Sequence, residues 1–139
     1  MNYHDIREGI RSALATIPAI QSGSPLQGKV WWEWTAPSDA EKPWLEMAFD
    51  GELPSPNAGH CALHMQLEVL VFGEVGGYHT IDPIADAVVT LLHHQNITTA
   101  LGNIICPEYI RDSRFDAYVD QLKASIIRLK FLIPLPFTP

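Results

Sequence analysis

The sequence of 139 residues lacks features that several large classes of protein require. It has no apolar run of the roughly 20 residues that a membrane-crossing helix needs. Its two cysteines, Cys61 and Cys106, have no short spacing, which favours buried thiols over a disulfide or a redox pair. The N-terminal stretch MNYHDIREGIRSAL lacks the charged-then-apolar order of a signal peptide, so we expect a protein made and kept in the cytosol.

Positive charge is scarce. Nine Lys and Arg stand against sixteen Asp and Glu, for a formal net charge of −7. Residues 33–86 carry ten acidic residues and Lys42 as the single base, a net charge of −9, whereas the segments on either side carry +1 each. Because a nucleic-acid-binding protein needs clustered Lys and Arg to neutralise phosphates, we expect DNA near the middle third to be repelled.

The histidines do not form a convincing metal site. If His60 and His64 lie on one strand, they are about 13 Å apart, which is too far to share an ion. His93 and His94 are adjacent on a predicted helix and should point in different directions, which favours a helix-end contact or a subunit interface.

The remaining candidates for chemistry also have simpler interpretations. Asp82 and Asp86 fall in the first turn of a predicted helix, where negative charge favours capping over an acid–base pair. Gly73, Gly76 and Gly77 do not match a phosphate-binding loop, and the serines lack a nucleophile-elbow context. We therefore expect no enzyme activity, no cofactor and no metal.

Hydrophobic patterning is strong and predicts one domain over residues 1–139. The pattern indicates an α+β fold of order αβββαββ, in which an antiparallel sheet (a β-meander plus C-terminal strands) carries two helices packed on one face. The helices are expected at 3–16 and 82–94, with Thr80 or Asp82 as N-cap of the second. Strands are expected at 29–35, 43–49, 61–72 and 101–106, followed by a hinge RDSRFD and a long final strand to Ile133.

The final strand changes phase. Apolar residues occupy even positions up to Ile126 and odd positions from Ile127 onward. One extra residue restores the face, so the pattern predicts a β-bulge between Ile126 and Ile127. The alternative is a short helix over 116–126 followed by a strand.

Four tryptophans cluster at Trp31, Trp32, Trp34 and Trp44. Neighbouring strand residues face opposite ways, so Trp31 should point away from Trp32 and Trp34. Three interpretations stay open: both faces are covered by other elements, Trp31 anchors a subunit interface, or the cluster is a platform for a carbohydrate or small ligand.

The block DPIADAVVTLLHHQ, an Ile-Ile-Cys strand, RDSRFD and a long final strand, behind a helix and three strands, resembles the tail-terminator and minor tail proteins of long-tailed bacteriophages. The resemblance implies an α+β subunit of the virion that assembles in the host cytoplasm, at the head-proximal end of the tail. It implies a homo-oligomeric ring, typically a hexamer, that caps the tail tube, ends its polymerisation and presents a surface to head-completion proteins. The expected partners are copies of itself, the tail-tube protein and the neck protein, with no membrane, while DNA passes the lumen without specific binding.

The acidic positions Asp39, Glu41, Asp50 and Glu52 lie on two expected loops of the meander. We hypothesise that they face the channel or the neighbouring tail ring, with Trp31 as a further contact. Two other functions remain open: a head-to-tail connector of the same virion, and a small-molecule-binding α+β domain.

Overall fold

A computed structural model describes residues 3–20, 29–33, 35–37, 40–54, 63–119 and 122–135. In these residues an α-helix and a short 3₁₀ helix precede three strands, and a second helix precedes four more strands. The elements are α1 (Tyr3–Leu14), the 3₁₀ helix (Pro18–Ile20), β1 (Val30–Trp32), β2 (Trp44–Pro54), β3 (Leu63–Gly73), α2 (Tyr78–Leu92), β4 (Ile97–Thr98), β5 (Ile104–Ile105), β6 (Glu108–Val119) and β7 (Leu122–Leu135). The α+β class is confirmed. Neither described helix combines the length and the apolar character needed to cross a membrane.

The main sheet has the strand order β1-β2-β3-β7-β6, and β4 pairs with β5 in a separate small sheet. Strands β2, β3, β7 and β6 pair antiparallel, as expected. Strand β1 pairs parallel to β2, so the expectation of a purely antiparallel meander is wrong at that edge. A parallel neighbour needs a crossover rather than a tight turn. Ala36 and Ala40 of the linking segment 33–43 pack on the sheet face that the helices leave open.

Both helices pack on one face of the sheet, as the sequence predicts. Helix α1 buries Ile6, Ile10 and Leu14 at a spacing of four residues, which places them on one stripe. This main core also contains the residues of β3 and β7 that point toward the helices, among them Leu67, Val69, Val71, Ile127, Leu129 and Phe131.

The predicted bulge between Ile126 and Ile127 is wrong. Strand β7 keeps an unbroken register with β3, from Leu63 opposite Leu135 to Gly73 opposite Ser125. The phase changes because the opposite sheet face, called here the back face, is apolar at one end. Ile126 belongs to a second buried cluster on that face, whereas Ile127 belongs to the main core.

Two further expectations about the C-terminal half are also wrong. The segment RDSRFD is not a hinge, and residues 116–119 and 122–126 are not helical, because β6 and β7 form one long hairpin. The alternating charges arise because β6 is an edge strand with much of its surface in solvent. The register irregularities lie elsewhere, between Phe49 and Glu52 and between Tyr109 and Arg111.

Helix α2 begins four residues earlier than expected, at Tyr78, with Gly77 as N-cap. Thr80 and Asp82 therefore lie inside the helix and do not cap it. The close packing of α2 on β3 depends on Gly73, where a Cβ would lie 2.4 Å from Ile81 Cγ2. The missing side chain lets the first turns of α2 sit directly on the end of β3.

Candidate interaction surfaces

The tryptophans divide between the two faces of the sheet. Trp44 is buried on the back face, where it stacks on Phe72 with ring centroids 5.0 Å apart. Trp31 meets Trp44 edge-on at 6.4 Å and is half-buried, whereas Trp32 packs toward the main core beside Phe49. The opposite orientation of Trp31 and Trp32 is confirmed, and Trp34 lies outside the described residues.

A buried carboxylate completes this cluster. The Trp44 indole N–H donates a hydrogen bond of 3.0 Å to Glu46 Oε2, and Glu46 is only 6 % exposed. The Lys42 ammonium lies 5.7 Å from the Trp44 ring centroid and 3.9 Å from Glu74. Trp31 and Lys42, which both contact Trp44, are half-buried residues at the border of this cluster.

The other end of the back face is charged. Glu68 lies 3.4 Å from Lys130 and 3.7 Å from Arg128, so its carboxylate is shared between two cations. A pocket of about 200 Å³ lies beside this triad, at the register irregularity of β6. Its lining includes Ile110 and Leu132.

A polar network fastens the start of α2 to the β6–β7 hairpin. The Tyr78 hydroxyl and the Ser125 hydroxyl both donate to Asp116 Oδ1, at 2.9 and 2.6 Å, and the Gly76 N–H donates to Ser125 Oγ. The bonds from Ser125 and Tyr78 lower the pKa of Asp116, while burial and the Asp116 contact raise the pKa of Tyr78. Ser125 is completely buried, and its hydroxyl takes part in two of these hydrogen bonds. The network therefore holds α2 against the hairpin, and we do not interpret Ser125 and Asp116 as a nucleophile and its base.

Asp82 and Asp86 have separate environments. Asp82 pairs with Arg114 of β6, and this hydrogen bond raises the pKa of the guanidinium. Asp86 is exposed one turn further along α2. The interpretation of the pair as first-turn capping residues is wrong because the helix starts at Tyr78.

The adjacent histidines lie at the end of α2, and their rings stack rather than diverge. His93 is the C-cap and His94 has a φ of 56°, which places the ring centroids 3.8 Å apart. His93 Nδ1 accepts a hydrogen bond of 2.9 Å from the Tyr109 N–H, so the expected helix-end contact is confirmed for His93. His64 is half-buried on β3, and His60 lies outside the described residues.

A buried carboxylate on α1 holds the small β4–β5 hairpin. Asp5 accepts hydrogen bonds from the Thr99 hydroxyl, from Asn103 Nδ2 at 2.8 Å and from the Leu101 N–H at 3.2 Å. Burial alone would raise the pKa of Asp5, but these bonds together lower it below its ordinary value. The hairpin presents Leu101 and Ile104 to solvent, 67 % and 62 % exposed.

The expectation of a single strand over residues 101–106 is wrong, because Ile104–Ile105 pairs with Ile97–Thr98 in this hairpin. The signal is visible in ITTALGNII, where Ile97-Thr98 and Ile104-Ile105 flank a loop of five residues that contains Gly102. Gly102 occupies a positive φ of 86°, which this turn requires.

The four hypothesised acidic positions do not share one kind of structure. Glu41 is exposed just before β2. The backbone of Asp50 and Glu52 lies in strand β2 rather than in a loop, because β2 continues through its irregularity to Pro54. Asp39 and the side chains of Asp50 and Glu52 lie outside what the structure describes.

Within the described part of the chain, no group of three or more His, Cys, Asp or Glu side chains is placed to hold a metal ion. Cys106 is a free, half-buried thiol, and Cys61 lies outside the described residues.

Comparison with known proteins gives a match in structure only. No protein-family model and no curated protein sequence matches the chain. A chain from a solved structure described as "Virion of native gene transfer agent (GTA) particle" has a similar fold, with a TM-score of 0.59 and 14 % sequence identity. The match covers 95 % of this chain and 89 % of that chain, so it extends over nearly the whole fold.

Proposed function

We propose that the chain is a structural subunit of a phage-like virion. Within the virion, we propose that copies of the chain form the ring that caps the tail tube. The observation that carries the proposal is the similarity in fold, over 95 % of this chain, to a chain of a gene transfer agent virion. The sequence pattern from Thr80 to Ile133 supports the tail-terminator role in particular. In this role six copies close a ring on the finished tube, stop its growth and receive the head-completion protein.

The acidic middle third supplies the surface that faces DNA or the next ring. We propose Asp39, Glu41, Asp50 and Glu52 for this surface, and the half-buried Trp31 for a contact between subunits. Since the lumen must pass DNA without holding it, negative charge there is favourable.

Native mass tests this role most simply. The purified chain is measured alone and after mixing with the tail-tube protein of the same particle, because the tube end is the proposed site of assembly. We expect a ring of six copies at the end of each tube. A chain that stays monomeric, does not bind the tail tube and binds a small molecule beside the tryptophans would instead indicate a ligand-binding domain.

Charge reversal tests the acidic surface. Lys at the four acidic positions should lower the yield of infectious particles and alter tail lengths. Asp86→Lys is the control, because Asp86 is an exposed acidic residue that lies on α2, outside the proposed surface. Unchanged assembly in the fourfold variant would contradict the assignment of this surface.

A further inference from the structure

The β4–β5 hairpin orients its side chains by simple alternation. Ile97 pairs with Ile105 and Thr98 with Ile104. Ile105 is buried in the main core and Ile97 packs against it, so Thr98 and Ile104 must face outward. Leu101, in the loop, adds a second exposed apolar side chain. Single exposed apolar residues are ordinary, so this arrangement alone indicates no partner.

What distinguishes the hairpin is how firmly it is held. The Asp5 carboxylate bonds to three residues of the loop, and the Asn103 N–H closes the loop on Thr99 Oγ1 at 3.0 Å. Gly9 of α1 allows this approach, because a Cβ there would lie 2.9 Å from the Thr99 methyl group. Leu101 and Ile104 are therefore presented in a fixed geometry, which reduces the entropy lost on binding.

A pocket lies on the opposite face of the sheet. The pocket of about 200 Å³ is bordered by Ile110, which is 46 % exposed, and by Leu132. Its charged lining residues are Glu68, Arg111 and Lys130, of which Lys130 and Glu68 pair at 3.4 Å and Arg111 is exposed. The hairpin lies on the helix side of the sheet and the pocket on the back face, so the two surfaces belong to different sides of the molecule.

We propose that the hairpin of one copy seats Leu101 and Ile104 in the Ile110–Leu132 pocket of the next copy. Residues 95–107 carry no charge, so the hairpin brings no charge to a pocket in which Lys130 and Glu68 already pair with each other and Arg111 is exposed to solvent. Because the two surfaces differ, the contact is heterologous and repeats from copy to copy until the ring closes. The inference rests on the proposed function only in taking the assembly to be a ring.

Cysteine cross-linking tests the contact directly. In a background of Cys61→Ser and Cys106→Ser, the double variant Leu101→Cys, Ile110→Cys is oxidised in assembled particles and in concentrated solution. We expect a ladder of covalent oligomers up to the full ring. Either single variant alone should give no covalent oligomers, and an equal mixture of the two should give covalent dimers only.

Several results would overturn the contact. Dimers of the Leu101→Cys variant alone would indicate a symmetric contact, and cross-linking of Leu101→Cys to a different virion protein would indicate another occupant. The absence of a ladder from particles that contain the ring would place the subunit contact elsewhere, while leaving the capping function intact. Conversely, a complete ladder together with normal tails in particles lacking the chain would remove the capping function and leave the contact.

A substitution series gives the magnitude. The double variant Leu101→Asp, Ile104→Asp should lower ring formation at least about tenfold, the loss expected when an interface anchor is removed. Tyr118→Asp is the control, because Tyr118 is 64 % exposed and lies at the far end of β6. Circular dichroism and native mass confirm that each variant folds. Equal ring formation in the hairpin variant and the control would contradict the proposal.

Discussion

A methyl group added at Gly73 tests how closely α2 sits on the sheet. Its Cβ would lie 2.4 Å from Ile81 Cγ2 and 3.4 Å from Ile81 Cδ1. Ile81 is completely buried, so its side chain has no solvent to move into. Overpacking of this kind costs about 1–3 kcal/mol. The loss is offset by about 0.4–1 kcal/mol, because alanine restricts the unfolded chain more than glycine does.

The second half of this test is a double-mutant cycle measured by urea unfolding. Ile81→Ala alone should cost about 2–5 kcal/mol through the cavity it leaves. It also removes the two closest atoms that the new methyl group meets, Ile81 Cγ2 and Cδ1, so the double variant should be at least about 1 kcal/mol more stable than the sum of the single losses predicts. Losses that add within about 0.5 kcal/mol would refute the close seating of α2 on Gly73.

Three further outcomes follow from other parts of the fold. Hydrogen bonds hold the pKa of Asp5 in the folded protein below its value of about 3.9 in the unfolded chain. The ionised carboxylate therefore stabilises the fold at a pH above the unfolded pKa, and this stabilisation is lost as the pH falls through the folded pKa. Asp5→Asn should therefore lower the melting temperature at pH 7 and differ little from the parent at the acid end of a titration from pH 7 to 2. Ile126→Ala and Ile127→Ala should each cost about 2–5 kcal/mol in urea unfolding, because both residues are buried on opposite faces; a negligible cost at Ile126 would argue against the back-face cluster. His93→Ala removes the acceptor of the Tyr109 N–H, so hydrogen exchange at that amide should accelerate, and an unchanged rate would show that the bond adds no protection.

The sequence predicted best where one periodicity acts alone. Met65 and Leu67 alternate along β3 with polar neighbours, and Ile6, Ile10 and Leu14 repeat along α1, so the type of both elements was clear. The side of the sheet on which the helices lie followed from the same two patterns.

Prediction failed where two surfaces compete for one strand. Ile126 and Ile127 are both buried, but in different clusters on opposite faces of the sheet. In the sequence alone, two consecutive apolar residues in an alternating pattern indicate a bulge. The parallel pairing of β1 with β2 accompanies the packing of Ala36 and Ala40 on the back face. This packing is a tertiary contact, so no local sequence pattern predicts it.

The sequence pattern predicts only part of the arrangement of the candidate surfaces. Opposite orientations of Trp31 and Trp32 follow from the strand period alone. The placement of Leu101 and Ile104 depends instead on Asp5, which is more than ninety residues away in the chain, and no local signal connects them.

The central claim is that this chain ends tail growth, and the lengths of tails assembled without it test that claim most directly. The gene is deleted in the strain that produces the particle, and tails are measured in electron micrographs beside those of the parent strain. We expect overlong tails of widely varying length that carry no heads, and normal lengths when the gene is restored. Normal detached tails beside DNA-filled heads would contradict the capping role and assign the chain to the neck.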